Sequence, residues 1–154
     1  MSITNRWGGC DRSMYHERYR LVIAADGPLG GRESVTRAEV ARVPLCLLTP
    51  DMQNRRIIDR KLRAAGVEPA PTLQSNSMVV LFAHVRTGRW ASVMPAVLAE
   101  TMGLPGPIRA IPIDDPTPPP TIGLVYPQRE PLTPLTAALV TEARRVGPGW
   151  MTTL

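Results

Sequence analysis

The chain has 154 residues, 44% hydrophobic and 20% charged, with a formal charge of +5, a balance that suits one globular domain and leaves little room for a second. Its longest apolar runs, LVIAA and MVVLFA, are too short to span a bilayer, and the first twenty residues hold no signal-peptide core, so a cytoplasmic protein with no membrane partner is expected. The charge comes from arginines scattered between Arg6 and Arg145, with Lys61 the only lysine; without a basic block or interleaved aromatics, direct nucleic-acid binding is not expected.

In chain order, RYRLVIA (18–24) reads as a strand closed by the turn signal ADGPLGGR. Thr36 and Glu39 stand at capping-box spacing and predict a short helix over 37–43, ended by Pro44. The run LCLL (45–48) has no alternation and suits a strand buried on both faces of a parallel sheet. It breaks off at Thr49-Pro50-Asp51. Thr49 as N-cap and Pro50 at the first helical position predict a helix that ends at Gly66. Ile57, Ile58, Leu62 and Ala65 form its apolar stripe, and Arg55, Arg56, Arg60 and Arg63 are expected to be surface charges.

The pattern then repeats. PTLQ (71–74) reads as a strand, Ser75-Asn76-Ser77 as a cap, and MVVLFAHVRT (78–87) as a largely buried helix stopped by Gly88. ASVM (91–94) is another strand, and Pro95 starts a helix towards Gly103. Strands alternating with helices in this way describe an α/β protein with a parallel sheet. Between 105 and 134 the chain is rich in proline: IRAIPI (108–113) and TIGLVY (121–126) still read as strands, but Pro112 demotes the first to an edge or connecting strand. Thr133 and Pro134 cap a last helix with Leu135, Leu139, Val140 and Ala143 on its apolar face. The remaining GPGWMTTL reads as a loose tail.

Catalytic chemistry has no visible candidate. HERYR lacks the second histidine of a zinc-protease helix, and His16 and His84 alone cannot build a metal cluster. Asp114 and Asp115 point to opposite faces of a strand, and Cys46 reads as a small buried hydrophobe outside any disulfide. No cofactor and no enzymatic activity are expected. In an open parallel sheet, ligands bind beyond the carboxyl ends of the strands. The ends after Leu48 and Gln74 both open into helix N-termini, which makes Thr49, Pro50, Asp51, Met52, Gln53, Asn54, Ser75, Asn76 and Ser77 a candidate rim for a small polar or anionic molecule. Capping by itself also accounts for Thr49, Asp51 and Ser75.

Four stretches, MYHERYRLVIAADGPLGGR, VPLCLLTPD, SNSMVVLFAHVRTGRWASVMP and TIGLVYPQREPLTPLTAALVTEARR, occur in the order found in LysR-type transcriptional regulators. The chain resembles the C-terminal effector-binding domain of that family. The resemblance implies a type II periplasmic-binding-protein-like fold, with mainly one complete subdomain, a parallel-type sheet with flanking helices, plus part of the other. It places the domain at 14–146, after a poorly defined segment 1–13. The second subdomain falls at about 25–112, the crossing strands at 18–24 and 121–127, the C-terminal helix at 134–146 and the tail at 147–154. It also implies a small-molecule effector, contacted from Thr49–Gln53 and from Ser75 and Asn76, a homo-oligomer, and DNA contact only through a winged helix-turn-helix domain that this chain lacks. The chain is therefore expected to be truncated, with the apolar face of its last helix incompletely covered. A small enzyme on a related two-lobed fold, or a remnant without ligand binding, are the alternatives.

Overall fold

The computed structural model describes residues 9–104, 106–127 and 131–152. Residues 1–8 of the N-terminal segment and 153–154 of the tail lie outside the described residues. The chain divides into two units, one of Tyr19–Pro118 and the other of the two chain ends, up to Arg18 and from Pro119.

The larger unit is built around β2 (Tyr19–Ala24), five of whose six residues are buried. β2 runs antiparallel to β6 (Ser92–Pro95) on one side and to β7 (Ile108–Asp114) on the other, and β3 (Val35–Thr36) adds to β7 in parallel. β4 (Cys46–Leu48) and β5 (Leu73–Ser75) form a parallel pair, joined to the β6 strand by the parallel bridge Leu45–Ala91. The sheet is thus mixed where a parallel one was expected. The α/β alternation sets the parallel β4–β5 crossover, whereas the sense of β2 against β6 and β7 depends on partners some 70 to 90 residues away in sequence, which no local pattern encodes.

Both faces of this layer are covered, and the strand pleat sorts the core accordingly. Leu21, Ile23, Leu45, Leu47, Val93 and Ile111 pack with Val40 of α1 (Arg37–Val40) and with Ile58 and Leu62 of α2 (Gln53–Ala64). Val22, Cys46, Leu48, Met94 and Ile108 pack on the opposite side with Leu81, Phe82 and Val85 of α3 (Met78–Val85) and with Ala99 of α4 (Ala96–Thr101). This two-sided burial is why LCLL shows no alternation. α3 is less buried than its composition suggests: Val79 is 68% and Val80 42% exposed.

Local signals explain the ends of these elements. Thr36 and Glu39 form the capping box of α1, each side chain meeting the other's backbone N–H. In the turn after β2, a Cβ on Gly30 would sit 2.3 Å from the Ala25 carbonyl oxygen, so only glycine fits. Gly66, at φ +75°, follows the end of α2. Pro112 does not lie on an edge strand as expected, since β7 stands between β3 and β2. β3, however, pairs only with Ile113 and Asp114, so residue 112 has a strand partner on one side alone and its missing N–H is tolerated there.

In the smaller unit β1 (Gly9–His16) pairs antiparallel with β8 (Thr121–Pro127), with an irregularity between Ser13 and Tyr15. α5 (Pro134–Thr152) packs on β1 and extends beyond the expected end of the last helix into the segment read as a tail. Thr133 caps it, its hydroxyl accepting from the Thr136 N–H at 3.3 Å. Val140 is buried, but Leu135 and Leu139 are 81% and 52% exposed. The apolar face of this helix is therefore only partly covered within its own unit. Among the described residues no helix is long and apolar enough to cross a membrane.

Leu47, at 0% exposure, is a member of the core cluster. Leu47→Ala is expected to cost about 3 kcal/mol in urea denaturation, whereas Leu135→Ala should change stability by less than about 0.5 kcal/mol.

Candidate functional site

The candidate rim begins where two short parallel strands stop. Leu48 pairs with Ser75 in the last register position of β4 and β5. The ladder gains one more rung, because the Thr49 N–H donates to the Ser75 carbonyl at 3.1 Å. The two strand-to-helix junctions are therefore joined at the backbone. After Thr49 the chain makes a turn closed by the Met52 N–H donating to the Thr49 carbonyl at 3.0 Å. α2 starts only at Gln53, with Met52 at the cap position. The reading of Thr49 as N-cap and Pro50 as first helical residue is corrected: Pro50, with its fixed φ, takes the second position of a tight turn that comes before the helix.

At the other junction the Ser75 hydroxyl accepts from the Ser77 N–H at 3.2 Å, and Ser77 is the cap residue of α3. Neither Met52 nor Ser77 makes a side-chain capping hydrogen bond. Both helices thus leave their first amides open to another partner.

The side chains divide by direction. Pro50, Asp51, Gln53 and Asn76 are exposed, and Thr49, Ser75 and Ser77 are half-buried. Met52 is half-buried and packs against the core cluster that contains Leu48 and Phe82. The Asn54 side-chain oxygen accepts from the Tyr19 hydroxyl at 3.3 Å, which ties the first turn of α2 to the start of β2. The Thr49 hydroxyl oxygen is sealed from solvent without a hydrogen bond of good geometry; its closeness to Asp51, with the Asp51 backbone amide, holds that carboxyl below the usual carboxylate range. Asp51 is accordingly an ionised group on the rim, and the Arg56 guanidinium donates to its backbone carbonyl at 3.1 Å.

Arg55 was read as a surface charge and is instead buried, at 5% exposure. Its Nε donates to Asp59 at 2.7 Å, and its Nη1 donates to the Leu48 carbonyl at 2.6 Å and to the Gln74 side-chain oxygen at 2.9 Å. Spacing could have found it. Positions 55, 58, 59 and 62 fall on one helical stripe, so Arg55 and Asp59 share the face of Ile58 and Leu62, and an i, i+4 arginine–aspartate pair can be buried as a unit. Arg56, Arg60 and Arg63 are exposed as expected.

Other polar groups are structural. Asp114 accepts from the Ser34 hydroxyl at 3.0 Å, and Asp115 pairs with Lys61 and with Arg37, the latter at 3.5 Å. The two carboxylates serve separate partners, Asp114 at the end of β7 and Asp115 just beyond it. His84 is half-buried and meets the Trp90 ring edge-to-face at 5.3 Å. Among the described residues no group of three or more His, Cys, Asp or Glu side chains is placed to hold a metal ion.

The model of the LysR substrate binding domain family matches residues 10–148. A probable nitrogen assimilation transcriptional activator of Synechococcus elongatus is 23% identical over 82 residues, which are 53% of this chain and 26% of that protein. Among solved structures, the effector binding domain of QuiR in complex with shikimate superposes with a TM-score of 0.74 at 16% identity, over 97% of this chain and 70% of that one. The regulatory domain of Synechocystis PCC6803 CcmR in complex with 2-PG gives 0.74 at 13%, over 96% and 71%. Full-length CbnR complexed with its target DNA gives 0.73 at 19%, over 92% of this chain but 49% of that one. The chain thus has the type II periplasmic-binding-protein-like α/β fold of these domains, and spans about a quarter of the curated relative's length.

Cys46 provides a pH test of the core beneath the rim. Burial is the main cause that pushes its thiol up to about 11, with the Ser92 hydroxyl working against it. The folded chain therefore keeps the thiol protonated between about pH 9 and 11, where the unfolded chain loses it, so stability falls as pH rises through that window, by at most about 1.4 kcal/mol per pH unit. Urea midpoints of the wild type should drop across this range relative to those of Cys46→Ala; parallel curves would contradict the burial.

Proposed function

Because this chain belongs to the LysR substrate-binding-domain family, we propose that it is the small-molecule sensing portion of a LysR-type transcriptional regulator and that it receives its effector at Thr49–Asn54 and Ser75–Ser77. The observation that carries this reading is the backbone bond from Thr49 to Ser75, which sets two uncapped helix N-termini side by side at the carboxyl ends of parallel strands. Unpaired amides there suit a carboxylate or another polar acceptor. Two structural neighbours are named in complex with small molecules, shikimate and 2-PG, which supports a small-molecule effector here.

Within the rim the roles differ. The amides after Met52 and Ser77 are the donors, Ser75 and Asn76 add adjustable hydrogen bonds, Gln53 presents an exposed amide, and Thr49, whose N–H is held by the Ser75 carbonyl, sets the junction that carries them. Asp51 disfavours an anion placed beside it and favours a hydroxyl or ammonium group, so the effector is polar or anionic with its acceptor end turned away from Asp51. Met52 and Asn54 support the rim from beneath. In a complete cytoplasmic regulator, effector binding would bias the arrangement of a homo-oligomer, and DNA contact would belong to a separate winged helix-turn-helix domain. An enzymatic reading would need a general acid or base near the rim; Asp51 is the one carboxylate there, and its lowered pKa makes it a poor proton donor at neutral pH.

A thermal-shift screen of small metabolites against this chain tests the proposal. A true effector at 100 times its Kd should stabilise the fold by about 2.7 kcal/mol, and Ser75→Ala and Asn76→Ala should each weaken it by up to about tenfold, the loss of one hydrogen bond. Stabilisation untouched by both variants would place binding elsewhere.

A further inference from the structure

The rim rests on a strand end with an unusual support. β4 and β5 are three residues each, and β4 meets its other neighbour through the single bridge Leu45–Ala91, at the opposite end from the rim. Around Leu48, backbone pairing is to β5 alone. The Leu48 carbonyl is met instead by a guanidinium from the first turn of the next helix, and the same Nη1 also reaches the Gln74 side chain on the neighbouring strand. Asp59 holds that guanidinium through Nε at 2.7 Å. A planar fork whose orientation is fixed at Nε has little freedom left at Nη1.

We propose that Arg55 is a positioning residue: by binding the Leu48 carbonyl and the Gln74 side chain together, it fixes the distance between the Thr49 and Ser75 junctions and so the shape of the rim. This rests on the rim being the effector site only for its consequence in binding; the clamp itself is a statement about β4 and β5. Four adjoining links make one chain, from Asp59 to Arg55, from Arg55 to Leu48 and to Gln74, and from Thr49 back to Ser75. Arg56, the next residue, sits outside this chain, exposed and bonded to the Asp51 carbonyl.

Position and stability can be separated experimentally. Arg55→Met alone leaves Asp59 buried without its partner and would destabilise for that reason. The double variant Arg55→Met/Asp59→Leu removes both charges, and exchanging a buried pair for apolar side chains is commonly neutral or better for stability. We expect the double variant to keep the wild-type thermal midpoint within a few degrees and the slow amide exchange of Leu21, Val22 and Leu47, while exchange of the Thr49 amide accelerates about tenfold. Gln74→Ala, at an exposed position that leaves the ion pair whole, should accelerate Thr49 in the same direction by a few-fold, and serves if the double variant does not fold. Any metabolite that stabilises the wild type should bind the double variant at least tenfold more weakly. Thr49 exchange at the wild-type rate in both variants would overturn the clamp. If no metabolite binds even the wild type, the effector reading fails while Thr49 exchange still decides the role of Arg55.

Discussion

A buried guanidinium is costly unless each of its polar contacts is answered, because removing a charge from water costs several kcal/mol even after the surroundings relax. Arg55 meets that condition with a carboxylate, a backbone carbonyl and a side-chain amide oxygen, all from residues within 19 positions of it. The rim end of β4 and β5 depends on the result. Two three-residue strands could not fix the candidate rim through their ladder alone, and the Arg55 contacts add a side-chain tie at the end where the ladder stops. Breaking them would leave the Leu48 carbonyl and the Asp59 carboxylate buried without partners, a penalty larger than the modest net worth of the bonds themselves.

Around this tie the packing is conventional α/β physics. Alternate residues of β2, β4 and β6 feed opposite cores, so helices α1 and α2 close one face and α3 and α4 the other. The helices that begin at Gln53 and Met78 are anchored by Ile58 and Leu62 and by Leu81, Phe82 and Val85. Their N-termini are therefore held by core contacts, and the amides they leave open are fixed in direction before any ligand arrives. A rim preorganised in this way spends little ordering entropy on binding, which is what a sensing domain needs if ligand affinity is to be converted into a shift between states. The smaller unit follows a different logic. Its two-stranded β1–β8 sheet carries one helix, and Leu135, Leu139, Ile122 and Val125 stay exposed.

Much of this was legible in the residues. The LCLL and PTLQ strands, the capping box at Thr36, the helix stop at Gly66 and the pairing of the two junctions on one edge all follow from short-range rules of pattern and turn chemistry. So did the family, through motifs spread over most of the chain. What escaped was of two kinds. Strand sense and the place of Pro112 depend on pairings far apart in sequence, and β1 was missed because GCDRSMYH has neither alternation nor a run of β-branched residues. Arg55 escaped because composition outweighed position: an arginine in a basic run reads as surface, although its spacing to Ile58, Asp59 and Leu62 put it on the buried stripe. The cap at Thr49 failed by three residues, since Thr-Pro-Asp suits a tight turn as well as a helix start. Within the candidate site, the junctions were visible, and the residue beneath them was not.

On the proposed reading, the paired ends of β4 and β5 form the receiving edge of the molecule. Backbone amide chemical shifts of the ¹⁵N-labelled chain, titrated with a metabolite that stabilises it, test this most directly. The account predicts that the largest saturable shifts fall on Thr49, Met52, Gln53, Ser75 and Ser77. Shifts confined to β1, β8 or α5, with the Thr49 and Ser75 amides unmoved at saturation, would contradict it.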